Sequence, residues 1–271
     1  MILDYDPDGA VDAAQRVRIK ARLAEVARED GARVLLAVES GSRAWGFHSP
    51  DSDYDVRFLY VRGLDAYLSL KPPRDVIERP IVDDLDVGGW DLGKALVLAS
   101  KGNAVVSEWL TSPIVYGEAA GFRDAVAPIV QAWRNHHGDV AHYLGLARRQ
   151  WAAFIDNRET VRLKKYFYVI RPAAALQWLR DRPGEPMPMN LPALLAGLSL
   201  PSETAEALGD LRARKQAEGE GVGEGPREAA IDAYVSEMLG WAAEVKGRAG
   251  PVVDAGLWNR TEALFRDWVK S

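Results

Sequence analysis

From Val38 to Val61 the chain reads VESGSRAWGFHSPDSDYDVRFLYV, with Asp51, Asp53 and Asp55 at every second position. Alternate residues of a strand point to the same face. An extended run would therefore hold these carboxylates side by side, where they repel unless a cation lies between them. A hard divalent ion suits such a set of oxygens. The pair Gly41-Ser42 stands just upstream. Glycine lets the backbone approach an anion, a helix starting there offers free N–H groups, and the Ser42 hydroxyl can donate to a phosphate oxygen. Together these residue types suit an in-line displacement at phosphorus. One metal ion lowers the pKa of an attacking hydroxyl while a second steadies the departing pyrophosphate. Asp51 follows Pro50 and reads as a turn residue instead.

The elements that must position these groups follow from periodicity. Ile19, Leu23 and Val26 recur at helical spacing between Asp12, a plausible cap, and Gly31, a stop. The run RVLLAVES reads as a buried strand ending at Gly41, and YDVRFLYV as a second strand. PIVDDLDVGGWDL has the composition of a third, after which Asp91 can cap a helix LGKALVLASK that stops at Gly102. Beyond Phe122 the apolar residues fall at steps of three or four (Val140, Leu144, Ala147, Trp151, Phe154; then Leu163, Phe167, Ile170, Ala174), which predicts helices. The expected fold is an α/β (α+β) domain with a mixed sheet over 1–122, followed by an all-helical domain over 123–271. A flexible loop is expected at 215–229, where glycine and charge alternate, and Pro172 is expected to bend or interrupt its helix.

The composition narrows the classes. A chain of 271 residues at 48% hydrophobic can bury a substantial core. It has no cysteine, which excludes disulfides, thiolate metal sites and a cysteine nucleophile, and favours a cytoplasmic setting. No uninterrupted apolar run approaches the roughly 20 residues of a membrane span, and the first residues lack a basic, then apolar, leader pattern. The net charge of −5 argues against a protein that coats nucleic acid nonspecifically. With four histidines and only His136-His137 adjacent, a zinc centre is not expected.

Gly41-Ser42 followed by Asp53-Tyr54-Asp55 resembles the signature of the DNA polymerase β nucleotidyltransferase superfamily. More narrowly, ESGSRAWGFHSPDSDYDVRFLYV, GWDLGKAL, GNAVVSEWLTSPIVY and LKKYFYVIRPAAALQW resemble a family of nucleotidyltransferases associated with bacterial RNA repair, over about Val38 to Trp178. The resemblance implies nucleotidyl transfer from an NTP with Mg²⁺, or Mn²⁺ in its place. Asp53 and Asp55 would be metal ligands and catalytic residues. It also implies a third carboxylate on a neighbouring strand, for which Asp86 is the choice and Asp91 the rival; Asp91 has a sufficient structural task as a helix cap. The acceptor it suggests is an RNA 3′ end. A protein hydroxyl accepting AMP, a small-molecule acceptor, and a noncatalytic antitoxin or RNA-binding module of the same fold are the alternatives.

Around this centre, Gly41, Ser42 and Arg43 form the expected nucleotide-binding set, joined from the helical half by Lys164, Lys165 and Arg171, with the site expected in the cleft between the two halves. Lys164, Tyr168 and Arg171 fall at i, i+4 and i+7, and residues 148–182 hold nine Lys/Arg against three Asp/Glu, a face suited to phosphate or an RNA backbone. Arg43 and Arg57 either grip the triphosphate or neutralise the carboxylates. Glu39, in an apolar strand, should meet a cation, Arg43 or Arg57. Trp45, Phe47 and Trp90 are expected in cores rather than stacked on a base.

Overall fold

Asp12 accepts a 2.8 Å hydrogen bond from the Gln15 amide and so opens α1 (Ala13–Glu29), which buries Ile19, Leu23 and Val26. Gly31, at φ 58°, ends it in the left-handed conformation that favours glycine. The computed structural model describes residues 5–218, 223–245 and 254–271. After α1 come β1 (Ala32–Glu39), the single turn α2 (Ser42–Trp45), β2 (Tyr54–Arg62), α3 (Leu64–Tyr67), β3 (Val76–Glu78), β4 (Leu85–Asp91), α4 (Leu92–Ser100), α5 (Ala104–Leu110), β5 (Val115–Glu118) and α6 (Phe122–Trp133). Then follow α7 (His136–Phe154), β6 (Thr160–Arg162), α8 (Lys165–Asp181), α9 (Leu191–Ala196), α10 (Ser202–Glu218), β7 (Glu224–Pro226), α11 (Ala229–Val245) and α12 (Ala255–Lys270).

Five strands form one mixed sheet in the order β3-β4-β2-β1-β5, in which β2 and β4 run parallel and the other neighbours antiparallel. Leu36, Val38, Leu59, Val61 and Trp90 form a core with α4, α5, α6 and α12. The strand expected in PIVDDLDVGGWDL is β4, and it begins only at Leu85. Asp83 and Asp84, at φ 48° and 62°, form a two-residue turn between Val82 and Leu85, so the acidic part of PIVDDLD is a hairpin tip and the short β3 precedes it.

The chain divides into two units whose boundaries cross the expected border at 122/123. The sheet unit comprises 7–44, 53–134 and 254–271; the helical unit comprises 5–6, 45–52, 135–218 and 223–245. α12 returns to the sheet unit because Leu264, Phe265, Trp268 and Val269 pack on its core. Trp133 Nε1 also donates to Thr261 Oγ1 at 2.9 Å. The segment 45–52 joins the helices because Phe47 stacks on Phe167, with centroids 5.6 Å apart, and lies edge-on to Tyr168 at 5.3 Å.

The helical unit is not purely helical, since β6 and β7 pair antiparallel. Much of the stretch expected as a loop at 215–229 is ordered structure. Lys215 lies on α10, Glu224–Pro226 is β7 and α11 starts at Ala229; residues 219–222 of that stretch lie outside the described residues. Nor does Pro172 interrupt its helix: α8 runs from Lys165 to Asp181 as the interior helix of its unit, with every residue from Val169 to Leu179 buried. Its neighbours hold it in place where the missing hydrogen bond would otherwise break it. Among the described residues no helix is long and apolar enough to cross a membrane.

A glycine in β4 gives a direct check on this packing. A Cβ at Gly89 would lie 2.3 Å from Phe58 Cε2, far inside contact distance of the ring. Gly89→Ala is therefore expected to destabilise the sheet unit by about 1–3 kcal/mol through overpacking, while Gly63→Ala, with nothing within 4 Å, serves as control. Equal urea midpoints for the two variants would contradict the packing. Of the two glycines after Asp86, Gly89 thus has its side-chain space filled by a phenylalanine ring.

Candidate active site

The register of the parallel pair β2/β4 sets Asp55 directly beside Asp86. Strand alternation puts Asp55 and Arg57 on the sheet face that carries Leu59, and Asp86 on the face that carries Trp90. That face is apolar and helix-covered at one end and acidic at the other. Two carboxylates in register on adjacent strands repel. Arg57 lies between them, with Nη2 2.6 Å from Asp86 Oδ2 and 3.4 Å from Asp55 Oδ1. Its Nη1 donates to the carbonyls of Val56 at 3.0 Å and Asp86 at 2.9 Å, which fixes the guanidinium over the pair. Of the two roles open to Arg57, this geometry is the neutralising one. Asp91, the rival carboxylate, lies on the other face of β4: it accepts from the Gly93 amide at 2.8 Å as the cap of α4 and from the Tyr67 hydroxyl at 2.7 Å.

Burial raises the Asp55 carboxyl from its ordinary 3.8 to about 6; Arg57 pulls it down, and the charges of Asp86 and Asp53 push it up. Asp53 precedes β2, and its carbonyl accepts from Arg43 Nε at 3.3 Å. Gly41 faces Asp55 so closely that a Cβ there would lie 1.9 Å from Asp55 Oδ2. The adjacent Ser40 amide donates to the Asp55 carbonyl at 2.8 Å. The Gly-Ser turn and the second aspartate are thus one unit, and Ser42 follows as the first residue of α2.

Other expected binders have structural partners. Arg43 is buried, donates from Nη1 to the Ala10 carbonyl at 2.7 Å, and stacks 4.0 Å over the Tyr54 ring. It ties the entrance of β2 to the segment before α1. In the helical unit Arg171 is buried instead of lying on an outward face with Lys164 and Tyr168. Its Nε donates to the Met189 carbonyl at 3.0 Å, and its guanidinium lies 4.8 Å over Trp45. Lys164 stands at the N-terminal cap position of α8, and the Lys165 ammonium sits over Phe154 and Tyr168, at 4.5 and 4.8 Å. Phe47 is core, and Trp90 packs on Trp109 at 4.4 Å, as expected of them.

The hydrogen-bond partners of the Glu39 carboxylate are an amide and a phenol, while the nearby Arg43 charge favours its ionised form. Glu39 is fully buried; Oε1 accepts from the Asp55 amide at 2.8 Å and Oε2 from the Tyr116 hydroxyl. Burial pushes its carboxyl up to about 7 against those two hydrogen bonds, while burial and the Glu39 charge push the Tyr116 phenol upward. The sequence reading gave Tyr116 no role. It closes the quoted segment GNAVVSEWLTSPIVY, but nothing in that segment marks a partner in β1.

The donor set at this site is all oxygen, and a cation already spans two of its members as the Arg57 guanidinium. Asp55 and Asp86, with Asp53 at the start of the strand, are therefore suited to a hard divalent ion. Among the described residues no three acidic or histidine side chains stand grouped as a formed metal cage. The sequence profile of RlaP, the RNA repair pathway DNA polymerase beta family, matches residues 15–267. Over 199 residues the chain is 42% identical to the uncharacterized protein YcgL of Bacillus subtilis (strain 168), covering 73% of this chain and 76% of YcgL. A crystal structure of a nucleotidyltransferase-like protein from Exiguobacterium sibiricum aligns over 94% of this chain and 89% of its own, at 12% identity and a TM-score of 0.28, too remote to bear on the site. The chain belongs to the RNA repair pathway DNA polymerase beta family, a family of DNA polymerase β-type nucleotidyltransferases.

Proposed function

We propose that the protein transfers a nucleotidyl group from an NTP to a hydroxyl acceptor, an RNA 3′ end, with release of pyrophosphate. The observation that carries this reading is the pair Asp55–Asp86, held in register under Arg57 with Gly41 closed against Asp55. Asp53, Asp55 and Asp86 would hold Mg²⁺ or Mn²⁺, which supplies Lewis-acid activation of the acceptor hydroxyl and offsets charge on the leaving pyrophosphate. Gly41 and Ser42 receive the triphosphate, glycine by allowing close backbone approach and serine through its hydroxyl. Asp86 takes the acceptor proton as the acceptor oxygen bonds to the α-phosphorus and the α–β phosphoanhydride breaks. Arg57 keeps the two carboxylates from repelling one another, and would yield its hold to another cation there. The RNA acceptor rests on the family's description as one of an RNA repair pathway.

The test is transfer of α-³²P label from each NTP, with Mg²⁺ or Mn²⁺, into RNA ends, the protein itself and cell extract, beside the Asp53→Asn, Asp55→Asn double variant. Label on RNA with wild type alone is the expected result. Label on protein would replace the acceptor, and no label together with no NTP binding would overturn the enzyme reading.

A further inference from the structure

The buried group behind the acidic pair has no part in the chemistry just described. Glu39 is 0% exposed, so it cannot touch a substrate. Each of its polar groups is engaged. Its amide donates to the Ile114 carbonyl at 3.0 Å, its carbonyl accepts from Ser112 Oγ at 2.7 Å, Oε2 accepts from Tyr116 and Oε1 from the Asp55 amide at 2.8 Å. Three of those partners, Ser112, Ile114 and Tyr116, lie in one short stretch of sequence on the far side of β1 from β2. The backbone of Asp55 is thus held at both ends, its N–H by a Glu39 side-chain oxygen and its carbonyl by the Ser40 amide. Its carboxylate is confined by Gly41.

We propose that Glu39, locked by Tyr116 and Ser112, is the positioning residue of the site: it fixes the Asp55 backbone, and through it the carboxylate that faces Asp86. A catalytic constellation tolerates only a small displacement of its members, and groups behind the reacting residues commonly set that tolerance. The SPIVY segment is accordingly part of the active-site machinery through its hold on Glu39. The catalytic half of this proposal rests on the nucleotidyltransferase reading; the structural half does not.

The two halves are tested separately, using the full chain with Glu39→Ala, Glu39→Gln and Tyr116→Phe. The first readout is hydrogen exchange of the Asp55 amide. Glu39→Ala leaves that amide without its acceptor, and exchange is expected to accelerate about tenfold or more. Glu39→Gln retains an oxygen for the amide and an N–H₂ for the Tyr116 oxygen, and is expected to restore protection to within about threefold. Tyr116→Phe, which frees Oε2, falls between the two. Unchanged exchange in Glu39→Ala overturns the proposal, and if that variant does not fold, wild-type exchange in Tyr116→Phe does so. The second readout is Mn²⁺ binding with a nonhydrolysable NTP, followed by electron paramagnetic resonance. Wild type that fails to bind contradicts the nucleotidyltransferase reading and leaves the exchange result standing. Wild type that binds, with Glu39→Ala about tenfold weaker and Glu39→Gln recovering most of the loss, supports both halves; equal affinity in all three overturns the catalytic half.

Discussion

Asp55→Asn is expected to abolish nucleotidyl transfer while making the protein more stable at pH 8. Asparagine keeps the size and one acceptor oxygen of the side chain but loses the charge that draws a divalent cation, and removal of one transition-state-stabilising group costs on the order of 10³-fold in rate. The stability gain follows from the Asp55 pKa. Its carboxyl rises from 3.8 to about 6 on folding, chiefly through burial. The folded protein therefore holds this proton more tightly than the unfolded chain does. That contribution is full below 3.8 and is lost as the pH rises through about 6. Above pH 7 the charged group in its buried place costs about 3 kcal/mol, which the neutral amide does not incur. Arg57 keeps its 2.6 Å bond to Asp86 in the variant, so no buried cation is stranded. Urea unfolding at pH 4 and pH 8 checks the sign: the variant's advantage should be present at pH 8 and nearly absent at pH 4. An Asp55→Asn variant that still transfers label, or that is less stable than wild type at pH 8, would remove Asp55 from the proposed role. In wild type the same ionisation predicts that Mn²⁺ affinity falls as the pH drops through about 6, by roughly tenfold per pH unit below it.

Gly41→Ala is the second large effect. The new methyl would lie 1.9 Å from Asp55 Oδ2, 2.6 Å from its Cγ and 2.9 Å from its Cβ. All three atoms belong to a short side chain rooted in a central strand, so little can give way. Either the Asp55 rotamer changes or the turn before Ser42 moves, and both separate groups that the reaction needs together. Misplacement on this scale is expected to cost transfer about 10²-fold or more, with about 1–3 kcal/mol of overpacking. Gly117→Ala in β5, which meets nothing within 4 Å, should leave both quantities near wild type. Transfer by the Gly41→Ala protein within about threefold of wild type would show that the turn and the aspartate do not act as one unit.

Local patterns account for how much of this was legible. α1, β1, β2 and α4 follow from spacing and from the caps Asp12 and Asp91, because the free energies involved act between residues a few positions apart. The short β3, β5, β6 and β7 were not legible, because three or four residues hold too little periodicity to distinguish a strand from a loop. Arg171 shows the converse failure. Its spacing from Lys164 suggested an outward basic face, but α8 is buried on all sides, and the guanidinium finds a carbonyl and an indole in place of solvent.

The sequence by itself carried the marks of the nucleotidyltransferase family and much of their address. Gly41-Ser42, the alternating Asp53 and Asp55, and an acidic residue at 86 are local facts, and their residue types are ones that suit the proposed hard-cation phosphoryl chemistry. Only the tertiary structure decided which carboxylate stands beside Asp55, because strand register depends on pairing between segments some thirty residues apart. It alone assigned Arg57 to the pair, buried Glu39 against Tyr116 across 77 residues, and returned α12 to the sheet. Such contacts form only when the cost of closing a long loop is met by burial on both sides, and no short stretch of residues records that balance.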